Sequence, residues 1–316
     1  MDFNLRPSSF DEFIGQKRII NSLNVYIKAS LIRDTSLDHV LLVGHPGLGK
    51  TTLAYLIANE LHQNIISINA NSIDRPRDLI IALSKLNEGD ILFIDEIHAL
   101  NTNCEEVLYS AMEEFYINLN VKNSLKKELI KFELPPFTLV GATTKVEDLS
   151  KPLYDRFPIS FTLEKYRNEE IIDIIKNASN KLKICYENNA LELLASVSRS
   201  TPRIALNIFK RINDFALIDE INVIKKSYVE KVLNELGIMH LGLNSLDLKY
   251  LKMLHSDYSD KPVGINTISS FLNENVKVIE EMTENYLIEL AFIRKTSKGR
   301  VITQKGITYL NKYTEK

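Results

Sequence analysis

Short apolar runs alternate with amphipathic stretches through the first half of the chain. His39 to Val43, Asn64 to Ala70, Asp90 to Ile94, Phe137 to Ala142 and Ile159 to Leu163 are each bounded by turn-forming or charged residues, which is how buried strands read. Thr52 to Leu61 and Cys104 to Phe115 lie between them and carry apolar residues at helical spacing. Strands alternating with helices predict an α/β fold, a parallel sheet covered by helices on both faces. Beyond Leu163 the strand signal stops. Asn168 to Lys181, Asn189 to Ser198 and Pro202 to Leu217 predict a small all-helical domain, with Pro202 at a helix's first position and Thr201 as its N-cap. A short linker, Gly237 to Asn244, leads to three more helical patterns: Asp247 to His255, Ile265 to Leu272 and Val276 to Leu290. A hairpin turning at Lys298-Gly299 follows, so the tail reads as a winged helix-turn-helix. The expected domains are residues 1–164, 165–238 and 239–316.

Composition narrows the class. The chain has 316 residues, enough to bury roughly three quarters of its unfolded surface in two or three domains. Its 39 basic and 41 acidic residues give a net charge of −2, so any nucleic-acid contact must come from a local patch. A 45% apolar content with 25% charged residues excludes a disordered chain. Two cysteines, Cys104 and Cys185, exclude a disulfide scaffold and a four-cysteine zinc site; both are expected to be packing residues. The six histidines show no metal-ligand spacing. No stretch approaches the ~20 apolar residues of a membrane span, and the opening Met1-Asp2-Phe3-Asn4 is not a signal peptide. The expectation is a cytoplasmic protein without membrane contact.

The strongest chemical signal is Gly44-His45-Pro46-Gly47-Leu48-Gly49-Lys50-Thr51, a full G-x-x-x-x-G-K-[ST] phosphate loop between an apolar strand and a helix. Phosphates need backbone amides at close range and gain from the positive end of a helix. Lys50 would bridge the β- and γ-phosphates of ATP, and the Thr51 hydroxyl would hold Mg²⁺. Some 45 residues after Lys50, Ile91-Leu92-Phe93-Ile94-Asp95-Glu96-Ile97-His98 supplies a buried strand ending in two carboxylates, where open α/β sheets place ligands. Asp95 would organise the Mg²⁺ shell, and Glu96 would polarise the attacking water. The Asp-Glu-Ile-His tetrapeptide also fits a DExH helicase. That reading requires a second RecA-like domain, and the chain after Leu163 is helical instead.

With their surroundings, these residues resemble the AAA+ ATPases and, within them, the RuvB family of bacterial Holliday-junction branch-migration motors. The resemblance runs through Leu5-Arg6-Pro7, Phe10 to Gln16, Leu37 to Leu42, Leu134 to Thr144, Asp155-Arg156-Phe157 and Thr201-Pro202-Arg203. It continues at Gly237-Ile238, Pro262-Val263-Gly264, Tyr286-Leu287-Ile288 and Lys298-Gly299-Arg300. It implies an AAA+ α/β domain, a helical lid and a C-terminal winged helix. It also implies that Gly44, Gly47, Gly49, Lys50, Thr51 and Thr52 cradle the phosphates. Thr144 would be sensor 1, near the γ-phosphate. Arg156 would be the arginine finger, reaching a neighbouring subunit's nucleotide, which requires a ring. Arg203 would be sensor 2, coupling nucleotide state to lid angle. Leu5, Arg6, Glu113, Glu114, Phe115 and Tyr166 resemble positions that enclose the nucleotide. Two departures stand out: His45 replaces the usual proline, and Ser200 replaces the glycine that normally precedes Thr-Pro-Arg.

A period-2 segment between about residues 116 and 134 reads as a β-hairpin with its tip near Lys122 to Leu129. In the family this hairpin docks on a RuvA-like junction-binding protein; here the tip carries Lys122, Lys126 and Lys127 in place of a glycine-rich stretch. In the tail, Val276 to Leu290 has four glutamates and one lysine, whereas Arg294 to Lys305 has five cations and no acid. An acidic helix would repel phosphates, so duplex DNA contact is expected through the wing onto the backbone, without base reading. The resemblance points to Lys295 and Arg300, and the turn adds Lys298. The implied function is an ATP-driven motor, a homohexameric ring that moves duplex DNA to drive branch migration of Holliday junctions. Its setting would be recombination, DNA repair and the SOS response to DNA damage, with a RuvC-like resolvase as a further partner. Two other readings stay open at this point: a clamp-loader-like AAA+ remodeller and a nucleotide-gated DNA-binding regulator.

Overall fold

The computed structural model describes residues 5–123, 126–258 and 261–313, without the side chains of 119–129. The opening Met1-Asp2-Phe3-Asn4 and the expected hairpin tip, with Lys122, Lys126 and Lys127, thus lie outside the described residues or side chains. The chain divides into two compact units, Met1–Tyr166 and Arg167–Lys316.

The first unit runs α1 (Lys17–Arg33), β1 (Val40–Val43), α2 (Lys50–Leu61), β2 (Ile65–Asn69), α3 (Pro76–Leu83), β3 (Ile91–Asp95) and α4 (Thr102–Glu114). It continues with β4 (Tyr116–Asn123), β5 (Lys126–Glu133), β6 (Thr138–Thr143), α5 (Lys151–Tyr154) and β7 (Ile159–Thr162). Five strands form one sheet in the order β2-β3-β6-β1-β7, and every neighbouring pair is parallel. The continuous apolar runs are explained by burial on both faces: Val40 to Leu42 and Ile91 to Ile94 are fully inaccessible. Because β3, β6 and β1 are adjacent and parallel, the loops leaving their carboxyl ends converge on one edge of the sheet.

A buried histidine fixes the entry to β1. The Leu139 amide donates to His39 Nδ1 at 2.9 Å, so Nε2 carries the proton and donates to the Met112 carbonyl at 3.1 Å. Burial holds the imidazole pKa below its usual value and keeps it neutral. One side chain thereby ties β1, β6 and the end of α4 together. The expected hairpin forms from β4 and β5, antiparallel in register from Tyr116 opposite Glu133 to Asn123 opposite Lys126. Ile117 is buried, whereas Ile130 and Phe132 are exposed.

The second unit begins with α6 (Asn168–Leu182), β8 (Cys185–Tyr186), α7 (Asn188–Ser196), α8 (Pro202–Ile218), β9 (Val223–Ile224) and α9 (Lys226–Glu235). The segment is therefore not wholly helical, because β8 and β9 pair as a two-residue parallel ladder. Cys104 is a buried packing residue, but Cys185 is exposed on β8. Thr201 occupies the N-cap without capping; its hydroxyl instead donates to the Arg199 carbonyl at 3.0 Å.

The winged portion follows: α10 (Ser245–Lys252), a π-helical turn Met253–Asp257, α11 (Ile265–Leu272), and α12 (Val276–Val278) running through a π-helical segment Ile279–Glu284 into α13 (Asn285–Glu289). It closes with β10 (Ile293–Thr296), β11 (Gly299–Ile302) and α14 (Gln304–Tyr313). The last helix was not expected; it packs Tyr309 and Leu310 into a core with Leu251, Ile268, Leu287 and Phe292. Val263 pairs with Arg300, adding an edge to the wing. Among the described residues, no helix is long and apolar enough to cross a membrane.

Candidate nucleotide site and nucleic-acid interface

The convergence at the sheet edge gathers the phosphate loop from β1, Asp95 and Glu96 from β3, and Thr144 just past β6. The Gly44 amide donates to the Thr143 carbonyl at 3.1 Å, which ties the loop's first residue to the strand beside it. Gly49 ends the loop at φ 109°, a backbone conformation strained for any side chain, and a Cβ there would also crowd the Phe13 ring at 3.1 Å. Lys50 opens α2 and is almost wholly buried. Its ammonium donates to the loop's own carbonyls, Gly44 at 2.5 Å and His45 at 3.3 Å. These are contacts that phosphate oxygens can replace. Thr51 and Thr52 follow on the first turn, both half-buried. Thr51 and Asp95 offer a hydroxyl and a carboxylate, the oxygen donors that suit a hard cation. Among the described residues there is no cluster of three or more His, Cys, Asp or Glu that could hold a metal ion.

Glu96 sits in the left-handed region at φ 51°, a backbone conformation that costs energy for any residue but glycine and recurs at working sites. Its amide donates to Asp95 Oδ1 at 3.1 Å. Its carboxylate accepts at Oε2 from the Thr144 amide at 3.2 Å and the Thr144 hydroxyl at 3.0 Å. His98 Nδ1 stands 3.3 Å from the same oxygen and 2.9 Å from the Thr143 hydroxyl. The Thr144 hydroxyl, expected near a γ-phosphate, is thus committed to Glu96. His98, the last residue of the Asp-Glu-Ile-His tetrapeptide, joins this group as a member that the phosphate-loop and strand-end motifs do not mark.

Tyr166 closes the same region. It is buried, and its hydroxyl donates to the Leu48 carbonyl inside the phosphate loop at 3.1 Å. Leu5 is half-buried, and the exposed Arg6 places its guanidinium 5.9 Å from the Tyr55 ring centre.

Arg156 belongs to a second group within the first unit. Its guanidinium lies over the Tyr109 ring at 4.4 Å, pairs with Glu113 at 3.0 Å and donates to the Pro152 carbonyl at 2.8 Å. Its buried Nε has no hydrogen-bond partner, an unmet donor that an incoming acceptor can satisfy. Arg156, Glu113 and Phe115 line one cleft of about 340 Å³ with Asp38 and His39, and no residue of the phosphate loop lines it. Glu114 is exposed beside them. Arg203 lies in the second unit, exposed on the first turn of α8.

The wing cations divide by environment. Lys298 stands exposed at the turn and Arg294 on the strand before it. Arg300 is largely covered: its Nε donates to Glu284 Oε1 at 2.8 Å and its Nη2 to Glu280 at 3.0 Å. Lys295 reaches Glu284 at 3.1 Å, and the buried Tyr250 hydroxyl donates to the same carboxylate at 2.7 Å. Burial pushes the Glu284 carboxyl up, but Arg300, Tyr250 and Lys295 outweigh it and hold the pKa below the ordinary carboxylate value. This revises the picture of an acidic third helix. Glu284 is wholly buried, and its carboxylate is paired with Arg300 and Lys295 instead of standing on the helix's exposed face.

Three family models match successive parts of the chain. Residues 5–163 match the Holliday junction DNA helicase RuvB P-loop domain, residues 166–239 the RuvB AAA lid domain, and residues 240–311 the RuvB C-terminal winged helix domain. The Holliday junction branch migration complex subunit RuvB of Ehrlichia ruminantium (strain Gardel) is 45% identical over 313 residues, covering 99% of this chain and 94% of its own. That of Campylobacter lari is 45% identical over 308 residues, covering 97% and 91%. Among solved structures, the RuvB Holliday junction branch migration motor of Thermotoga maritima superposes with a TM-score of 0.85 at 40% identity, covering 97% of this chain and 98% of its own.

Proposed function

Because this chain belongs to the RuvB family, we propose that it is the ATP-hydrolysing motor subunit of a Holliday-junction branch-migration complex. The observation that carries the chemistry is the meeting of the phosphate loop with the Glu96–Thr144 pair at the carboxyl ends of three adjacent strands. Lys50 would exchange its contacts with the Gly44 and His45 carbonyls for the β- and γ-phosphates of bound ATP. Glu96, oriented by Thr144 and His98, would take a proton from the attacking water as its oxygen adds to the γ-phosphorus and ADP departs. Mg²⁺, held through Thr51 and, at one remove, Asp95, would supply charge neutralisation on the phosphates.

Tyr166, bonded to the loop at Leu48, would enclose the base and sugar together with Leu5 and Arg6. Glu113, Glu114, Phe115 and Arg156 would face the nucleotide of a neighbouring copy. A homohexameric ring is the assembly in which such a finger acts, and the unmet Arg156 Nε supports this role. Arg203 would report nucleotide state to the lid. We read residues 1–164, 165–238 and 239–316 as motor, lid and DNA-holding modules. The wing, through Lys295, Lys298 and Arg300, would hold duplex DNA by its backbone, and the β4–β5 hairpin would dock on a RuvA-like partner. A RuvC-like resolvase, a cytoplasmic location and an SOS-linked repair role complete the proposal. With all three segments matching RuvB models, neither the clamp-loader-like remodeller nor the nucleotide-gated regulator keeps a supporting observation.

The test is ATP turnover in the presence and absence of duplex DNA. DNA-stimulated hydrolysis that disappears in Glu96→Gln, with ATP still bound, supports the reading. Hydrolysis indifferent to DNA and to Glu96 overturns it.

A further inference from the structure

The connection between lid and winged helix was expected to be a plain linker, and its atoms say otherwise. Three successive carbonyls in residues 240–242 are each captured by a side chain: His240 by the Tyr309 hydroxyl at 2.8 Å, Leu241 by the Tyr286 hydroxyl at 2.6 Å, and Gly242 by Arg199. Gly242 lies against the lid so closely that a Cβ would fall 2.2 Å from the Val197 carbonyl oxygen. No side chain fits there, so the approach is built into the backbone.

Arg199 is the lid residue at the centre of this contact. Its Nε and Nη2 both donate to the Gly242 carbonyl, at 3.0 and 2.8 Å. Nη2 also donates to Asp247 Oδ2 at 2.5 Å, and Nη1 to the Met282 carbonyl at 3.3 Å. The guanidinium plane lies 4.5 Å from the Tyr286 ring centre. Asp247 is wholly inaccessible, and its carboxylate also accepts the Asn244 amide at 2.8 Å, so the same group caps α10. Arg199 and Ser200 both hold left-handed backbone, φ 52° and 56°. These two residues turn the chain directly into α8, whose second residue is Arg203.

We propose that Arg199 is a positioning residue that locks the lid and the winged helix into one lever, so that a lid movement sensed at Arg203 is delivered to the DNA-holding wing without loss at residues 239–244. The lever rests on the motor reading above. Planar guanidinium geometry is what serves three acceptors and an aromatic face at once; a lysine would keep the charge opposite Asp247 but lose the fork and the stacking.

The test uses the full chain in four forms: wild type, Arg199→Lys, Arg199→Ala, and the double variant Arg199→Gln/Asp247→Asn, which leaves no buried charge without a partner. The double variant should exchange the Met239 and Gly242 amides at least tenfold faster than wild type. It should keep ATP turnover within about twofold and dissociate at least tenfold fewer junctions per ATP hydrolysed. Arg199→Lys should fall between, and Arg199→Ala should match the double variant or exceed it. Unchanged exchange, or unchanged junction dissociation per ATP, overturns the proposal. So does ATP turnover that falls in step with junction movement, which would place Arg199 in the hydrolytic machinery. If the wild type moves no junctions at all, the motor reading fails by itself. The lever is then judged on DNA affinity with ATP against ADP: a difference seen in wild type and lost in the double variant supports it, and a difference kept in both refutes it.

Discussion

Arg300→Ala should weaken the wing itself before it weakens any grip on DNA. Glu284 is wholly buried and takes two of its contacts from Arg300. Deleting the guanidinium leaves the carboxylate with the Tyr250 hydroxyl and Lys295. Removing one partner of a buried ion pair costs about 3–5 kcal/mol, and since Lys295 remains, the lower figure of about 3 kcal/mol applies. An opening equilibrium for β10 and β11 would then rise on the order of a hundredfold, because each 1.4 kcal/mol is about tenfold. The double variant Arg300→Ala/Glu284→Gln removes the stranded charge as well and should recover about 1 kcal/mol or more. Native-state hydrogen exchange at the amides of Ile293 to Ile302 reads this opening directly. If Arg300→Ala left those amides within twofold of wild type while DNA affinity dropped, Arg300 would be a simple phosphate contact and the buried network would carry no folding energy.

Further outcomes follow from the same geometry. Glu96→Gln should lower ATP turnover at least about a hundredfold while equilibrium ATP binding stays within a few-fold. Thr144→Val should lower turnover by about ten- to a hundredfold, the value of one hydrogen bond to a charged group, measured by single-turnover hydrolysis. Arg156→Ala and Lys50→Ala should each be inactive alone, yet a mixture should regain hydrolysis if one subunit's finger serves another's nucleotide; a mixture as dead as its parts refutes action between subunits. Because the folded pKa of Glu284 lies below its unfolded value, its contribution is full above about pH 4.3 and is lost as pH falls through the folded value. Wing exchange, corrected for its intrinsic rate, should therefore rise below about pH 4 in wild type and stay flat in Glu284→Gln.

The parts of the molecule legible in the sequence were those set by local chemistry. Five apolar runs became five parallel strands within a residue or two at most ends, because burial on both faces demands apolar side chains at every position. The phosphate loop and the Asp95-Glu96 strand end stand out for a different reason, because a site that would cradle phosphates calls for fixed residue types at fixed spacing. What stayed hidden depended on tertiary partners. Charge counting gave the third helix of the wing four acids, but only its fold shows Glu284 turned inward onto Arg300. The Asp95-Glu96-Ile97-His98 tetrapeptide marks His98 only as part of a helicase-like motif, and its partnership with Glu96 and Thr143 appears only when β6 comes alongside. Arg199 looked like any residue before Thr-Pro-Arg, because its acceptors lie more than forty positions downstream. The short ladder of Cys185-Tyr186 with Val223-Ile224 is too brief to leave a periodic trace.

As a branch-migration motor, this chain should move DNA at a four-way junction by hydrolysing ATP. Dissociation of a synthetic junction should be followed with ATP, with and without the same organism's junction-binding protein, with Lys50→Ala and Glu96→Gln as controls and a linear duplex for comparison. Dissociation that requires ATP, Lys50, Glu96 and the partner, and that leaves the linear duplex intact, is the expected result. ATP turnover without junction movement in every combination would contradict it.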